Sequence, residues 1–281
     1  MAAFLAILSA AAFGGADFVG GLAARRASAV SVVITGHLTG LLVVAAVAPW
    51  FGSDGVGTAD FLWGGAAGAS GAIGLTILYH ALATTRFMVA APAAAVLGAA
   101  VPVVFGLAIG ERPSATAWIG IAVALPAILL ISGLRSEGSA SAAATRRAVL
   151  LGSAAGSLFG LFGIFMSRTA DTSGAWPLVS ARVASIITMS VVALVMARPL
   201  LATGKALRIS IAAGAADMAA NIALLAALHE PGLVSLVLLI SSLYPAGTVL
   251  LARVVLDERI NRTQVVGLLL AAVGIGLIAL G

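Results

Sequence analysis

The chain is 281 residues long, 62% hydrophobic and only 9% charged, with a mean hydropathy of +1.17; soluble domains hold roughly 45–50% apolar residues, so a water-soluble fold is excluded. Its formal charge of +5 is scattered singly or in pairs through short loops, which excludes the massed basic patch of a nucleic-acid binder. Zero cysteines exclude disulfides, thiolate chemistry and Cys-based metal centres, and three scattered histidines are too few for a metal cluster.

With polar and charged residues read as loops, the apolar runs predict ten transmembrane helices near 3–23, 29–50, 61–82, 88–109, 114–133, 148–167, 175–197, 208–228, 232–254 and 264–280. The runs are continuous rather than alternating, which makes them helices and not barrel strands. The first lacks a basic leader and stays apolar past Phe13 to Leu22, so it reads as a span and not a signal peptide. It carries Asp17 deep inside. The second span carries His37. The third holds Gly64 and Gly68 at four-residue spacing, which lets backbones approach closely. Tyr79 and His80 near its end read as interfacial anchors. In the fourth span Pro92 and Pro102 each remove a helical hydrogen bond, so this helix is expected to be interrupted, like its repeat mate the ninth, and the pair of interrupted helices points to the binding site.

Between the fifth and sixth spans, Leu134 to Arg147 is the only connector long enough to separate two halves. The division is a first repeat over 1–133, a connecting loop over 134–147 and a second repeat over 148–281. The sixth span repeats the close-packing pattern at Gly152, Gly156 and Gly160, the seventh carries Arg182, and the eighth carries Asp217 with Asn221 one turn on. His229 and Glu230 at its end read as interfacial. In the ninth span Pro245 interrupts the helix beside Ser241, Ser242 and Tyr244. Trp50, Trp63, Trp118 and Trp176 lie near span ends, as an aromatic belt does.

The halves match in register. Phe13-Gly14 corresponds to Phe159-Gly160, Thr35-Gly36-His37 to Ser180-Ala181-Arg182, and Gly110-Glu111-Arg112-Pro113 to the acidic and basic turn Asp257-Glu258-Arg259. Five spans is an odd number, so the second copy enters the membrane from the opposite side. The expected fold is an all-α integral membrane protein of two inverted five-helix repeats, a geometry that puts a transport site near the midplane.

These features resemble the ten-span, two-repeat EamA-type branch of the drug/metabolite transporter superfamily. The resemblance is carried by Gly110-Glu111-Arg112-Pro113-Ser114 ahead of Ile119-Gly120-Ile121, by Asp257-Glu258-Arg259 ahead of Val266-Gly267-Leu268, and by Tyr244-Pro245 upstream in the ninth span. Gly98 holds the position corresponding to Tyr244 in the first half, with the proline moved to Pro102. The resemblance implies secondary transport, often export, of amino acids, metabolites or drugs. It also implies a mostly apolar cavity around the first, third, fourth, sixth, eighth and ninth spans.

Ionisable residues inside a membrane each cost roughly +2.5 to +3.5 kcal/mol at a helix centre, so they mark function or pairing. Asp17, His37, Arg182, Asp217 and Asn221 are the candidates for substrate binding or coupling, together with Ser241, Ser242 and Tyr244 at the ninth-span break. Arg182 and Asp217 also suit a structural ion pair. Asp17 stands alone in an apolar span, where burial disfavours a bare charge and allows a proton to be taken up and released. His37 also suits a structural reading as a neutral ring hydrogen-bonded to backbone or hydroxyl. No metalloprotease, P-loop, nucleophile-elbow or dinucleotide pattern appears, so no cofactor is expected.

The functional expectation is a secondary transporter, exporting a small organic metabolite such as an amino acid by alternating access, with protons as the coupling ion. Its setting is the cytoplasmic membrane. Multidrug efflux, a lipid-acting membrane enzyme and a non-transporting scaffold are the competing readings. An enzyme needs clustered reactive groups at one interface, and a scaffold has no need of Asp17. Oligomeric state is left open.

Orientation divides the two lines of reasoning. The resemblance implies cytoplasmic termini. Yet Arg25, Arg26, Arg86, Arg135, Arg146, Arg147, Arg198, Lys205, Arg208, Arg259 and Arg262 fall on the face opposite the termini, against Arg112 and Arg168 on theirs. The positive-inside rule therefore predicts outward termini and a cytoplasmic central loop.

Overall fold

A computed structural model of the chain describes residues 1–84, 87–131, 142–255 and 262–280. The described residues form eleven α-helices: α1 (Ala2–Ala24), α2 (Ala29–Val47), α3 (Thr58–Thr84), α4 (Phe87–Ala108), α5 (Ala115–Ile131), α6 (Ala142–Met166), α7 (Trp176–Val195), α8 (Gly204–His229), α9 (Val234–Ser241), α10 (Pro245–Val255) and α11 (Arg262–Leu280). Seven helices are long and apolar enough to cross a membrane, and Ala93–Ala108, Ala115–Leu130 and Val234–Thr248 are shorter apolar segments. The ten expected spans are thus present, the ninth split into α9 and α10.

Helix starts follow the local chemistry. Ser28 caps α2 by accepting from Ser31 N at 3.1 Å, and Ser114 accepts from Ala117 N at 3.0 Å at the head of α5. The α4 helix ends in a Schellman turn: Glu111 N donates to Gly106 O at 2.8 Å, Gly110 N donates to Leu107 O at 3.1 Å, and Gly110 sits at φ 91°.

Two expectations are corrected. The connector is not all loop, because α6 begins at Ala142; its Ala142-Ala143-Ala144 run favours helix, and one turn more is added at small cost. The fourth span is not interrupted like the ninth: α4 runs unbroken through Pro92 and Pro102, as α5 does through Pro126. A proline removes one hydrogen bond, which a helix packed on its neighbours survives. At 242–244 the chain instead tightens into successive turns, with Leu243 N donating to Ile240 O at 3.0 Å and Tyr244 N to Ser241 O at 3.3 Å.

The packing is two-fold in pattern. Helix α3 lies along α6 and α7, and its counterpart α8 lies along α1 and α2; α2, α4 and α5 meet their own counterparts α7, α9 and α11. Glycines make these approaches possible. A Cβ on Gly68 would collide with the Ala181 backbone, one on Gly156 with that of Ala94, and one on Gly214 with that of Gly36. Outward from these seams the helices present large apolar side chains such as Leu42, Leu62, Ile187 and Leu269, as a lipid-facing surface requires.

Polar ties fix both ends of the bundle. On one, Ala202 N donates to Thr35 Oγ1 at 3.0 Å and Ser31 Oγ donates to Pro199 O. On the other, which carries the termini, buried Asp60 accepts from Gly57 N at 2.8 Å and from Ala170 N at 2.7 Å. His229 is no bare interfacial anchor, since its Nε2 lies 3.2 Å from Thr169 Oγ1. Tyr79 is buried too, its hydroxyl filling the space that a Cβ on Gly20 would need. Trp50, Trp63 and Trp118 are exposed, and Trp63 stacks on Phe165 at 5.8 Å.

Candidate functional site

A cavity of about 890 Å³, its open side included, lies between the halves. The eight residues singled out from the sequence, Asp17, His37, Arg182, Asp217, Asn221, Ser241, Ser242 and Tyr244, all line it. They arrive on five of the ten spans, each from mid-helix or, for the last three, from the break after α9.

The polar wall is organised around Arg182. Its guanidinium meets the Asp217 carboxylate at 2.5 Å, with both side chains largely buried. Gly40 makes the room: a Cβ there would stand 3.1 Å from Arg182 Nε. Asn221 Nδ2 donates to Asp217 O at 2.7 Å and so fixes its amide against the helix that carries the ion pair. Ser185, one turn beyond Arg182, donates to Arg182 O at 2.9 Å and lies 2.8 Å from His37 Nδ1. Ser185 has one proton and spends it on that carbonyl, so His37 Nδ1 is the donor and a neutral ring keeps its lone pair on Nε2.

Three buried polar atoms in this wall have no partner among the described residues: Arg182 Nε, Ser241 Oγ and Tyr244 Oη. Leaving such a group unpaired costs about 1–3 kcal/mol, so it signals a ligand or water that completes it. Asp17 has no hydrogen bond or ion pair with any described residue, and Asp217 is near enough to repel it. Of the two carboxylates that line the cavity, Asp217 takes the Arg182 guanidinium and Asp17 has no partner among the described residues. The lining also includes the apolar side chains of Phe13, Leu75, Phe159, Phe162, Leu178 and Leu238. Such a surface suits a small amphipathic solute.

The repeat register accounts for how the groups fit. The spacing that separates Phe13 from Phe159 also pairs Asp17 with Gly163, Gly71 with Asp217, and Gly98 with Tyr244, and all six line the cavity; the match of His37 with Arg182 falls one residue out of that spacing. In these three pairs a bulky polar side chain in one half has a glycine at its counterpart in the other, whereas His37 has Arg182.

Sequence reasoning missed Ser185, Phe162 and the lining glycines Gly71 and Gly163. A signal existed for the first two: Ser185 lies three residues after Arg182, and Phe162 three after Phe159, on the same helix faces. Among the described residues no group of three His, Asp or Glu side chains gathers to hold a metal.

The EamA-like transporter family matches residues 146–280. A crystal structure of a protein 17% identical to this chain superimposes with a TM-score of 0.73 over 99% of this chain and 95% of that one, a likeness of fold. No curated protein matches the chain.

Proposed function

With residues 146–280 forming an EamA-like transporter family domain, of the drug/metabolite transporter superfamily, we propose that the chain is a secondary exporter working by alternating access. Membrane transport of a small molecule by a multi-pass protein is what that family membership implies. The reading offered beyond it is export of a small organic metabolite, an amino acid or related amphipathic solute, across the cytoplasmic membrane, with protons as the coupling ion and no catalysis. The division into repeats over 1–133 and 148–281 belongs to the same reading.

The observation that supports it is a cavity walled by both halves, holding three buried polar atoms with no partner among the described residues. An inverted-repeat transporter binds its substrate at a midplane site, and its halves rock about it. Asp17 is the coupling residue in this reading: protonated it is neutral, and when the cavity faces the other solution it releases the proton or exchanges it for substrate.

Purified protein in liposomes, loaded with a panel of amino acids and amphipathic metabolites and given an imposed pH gradient, tests the proposal. Uphill flux of at least one solute is expected, and Asp17→Asn should bind that solute yet fail to move it uphill. Flux of none, or gradient-driven flux at the normal rate in Asp17→Asn, rejects transport or proton coupling respectively.

A further inference from the structure

The Gly110-Glu111-Arg112-Pro113 turn closes α4 through its backbone. Its glutamate does more. Glu111 Oε1 accepts from Val234 N at 2.9 Å, and Oε2 accepts from Ser235 N at 3.2 Å and from the Ser235 hydroxyl. The carboxylate of the first half thereby takes up the first two amides of α9 in the second half. Residue Leu233 stands at the N-cap of α9 and has no side-chain oxygen to do this itself. Gly106 leaves the space, because a Cβ there would collide with Glu111 Oε2.

Helix α9 is eight residues long, too short to hold itself, and it ends at the turns of 242–244 ahead of Pro245. It carries Leu238 and Ser241 into the cavity wall, with Ser242 just beyond its end. One end of this half-helix is thus a bend in the chain. The other is held by a charged group on a turn whose shape is set by the Schellman end of α4.

We infer that Glu111 is a positioning residue that clasps α9 across the two halves and so sets where Ser241 and Ser242 stand in the cavity. Removing the carboxylate leaves two amides without partners at the head of α9 and takes a negative charge from the positive end of its dipole. The half-helix then moves about the bend at 242–244 while the rest of the bundle keeps its place. Charge-assisted hydrogen bonds of this kind shift the ratio of clasped to released forms by roughly tenfold or more. The inference stands apart from the transport reading, since it concerns the position of α9 and needs no substrate.

The test uses the full chain in liposomes, with no transported ligand. As the natural chain has no cysteine, spin labels can be placed at Arg112→Cys and Pro231→Cys, both exposed, one beside the clasp and one ahead of α9. The expected result is a single narrow distance distribution in the otherwise unaltered protein. Glu111→Ala should add a second, longer population, and Glu111→Gln, which keeps an acceptor oxygen but no charge, should give an intermediate one. Ser235→Ala, which removes only the hydroxyl contact, should broaden the distribution slightly. A merely structural glutamate would lower the thermal midpoint and leave the distances of the folded fraction unchanged, and that outcome overturns the inference. If Glu111→Ala does not insert, Glu111→Gln and Ser235→Ala decide by the same criterion, and unchanged distances in both overturn it.

Discussion

Arg182 on α7 and Asp217 on α8 close on one another at 2.5 Å in the cavity wall, and this pair joins two helices that both pack on α2. Breaking one side of such a pair leaves an uncompensated charge, which costs about 3 kcal/mol or more when largely buried. Arg182→Ala and Asp217→Ala should each lower the thermal midpoint of the detergent-solubilised protein markedly. The double variant should lose less than the sum of the two. Strict additivity in that cycle would mean that the contact carries no coupling.

The unpartnered hydroxyls of Ser241 and Tyr244 predict the opposite split between stability and function. Ser241→Ala and Tyr244→Phe remove polar atoms that no described residue satisfies, so the thermal midpoint should hold or rise slightly. If those hydroxyls meet the solute, its apparent affinity should fall by roughly tenfold. A marked fall in stability with unchanged affinity would assign them to the scaffold.

Close helix approach gives a graded set of variants. Gly68→Ala and Gly156→Ala drive a methyl into the backbone of a neighbouring helix, and overpacking of this kind costs about 1–3 kcal/mol or more where the obstacle is main chain. Gly276 on α11 has open space around the corresponding position, so Gly276→Ala should be neutral or gain up to about 1 kcal/mol from helix propensity. Thermal unfolding of the three variants side by side checks the order.

Orientation remains a prediction from charge. The face with Arg25, Arg26, Arg198, Lys205 and Arg208 is tied together by the Ser31–Pro199 and Thr35–Ala202 contacts, and the face with Asp54, Asp60 and Asp171 by those of Asp60 and Thr172. The basic face is predicted to be cytoplasmic and the termini outside. A C-terminal reporter active only outside the cytoplasm should be active, while a cytoplasmic C-terminus would favour the topology that the family resemblance implies.

How much of this was legible beforehand depends on what each feature is made of. The spans were readable because hydropathy acts residue by residue, and eight cavity residues were found because a charge or helix break in an apolar run is conspicuous on its own. Unreadable were features that exist only between segments. Glu111 reads as a turn residue until α9 is seen to lack its own cap, and Tyr79 as an interfacial ring until Gly20 is seen beneath it. The unbroken α4 was misjudged because a proline states what a helix loses and says nothing of the neighbours that hold it. The matching of Asp257, Glu258 and Arg259 to the first-half turn lies outside the described residues, as does most of the connector.

The exchange of glycine for bulk between the halves has a consequence for ancestry and specialisation. Two identical copies related by a two-fold axis would have to set Asp17 against a second aspartate, Tyr244 against a second tyrosine, and Arg182 against a second arginine, crowding the chamber and doubling each like charge. Fusion into one chain lifts that constraint, because each wall can then mutate alone. With His37 where its counterpart is Arg182, and Gly71 where its counterpart is Asp217, the chamber has a lopsided chemistry inside a nearly symmetric frame. A solute with a polar end and an apolar end therefore has one preferred way round in it, which a symmetric dimer cannot offer.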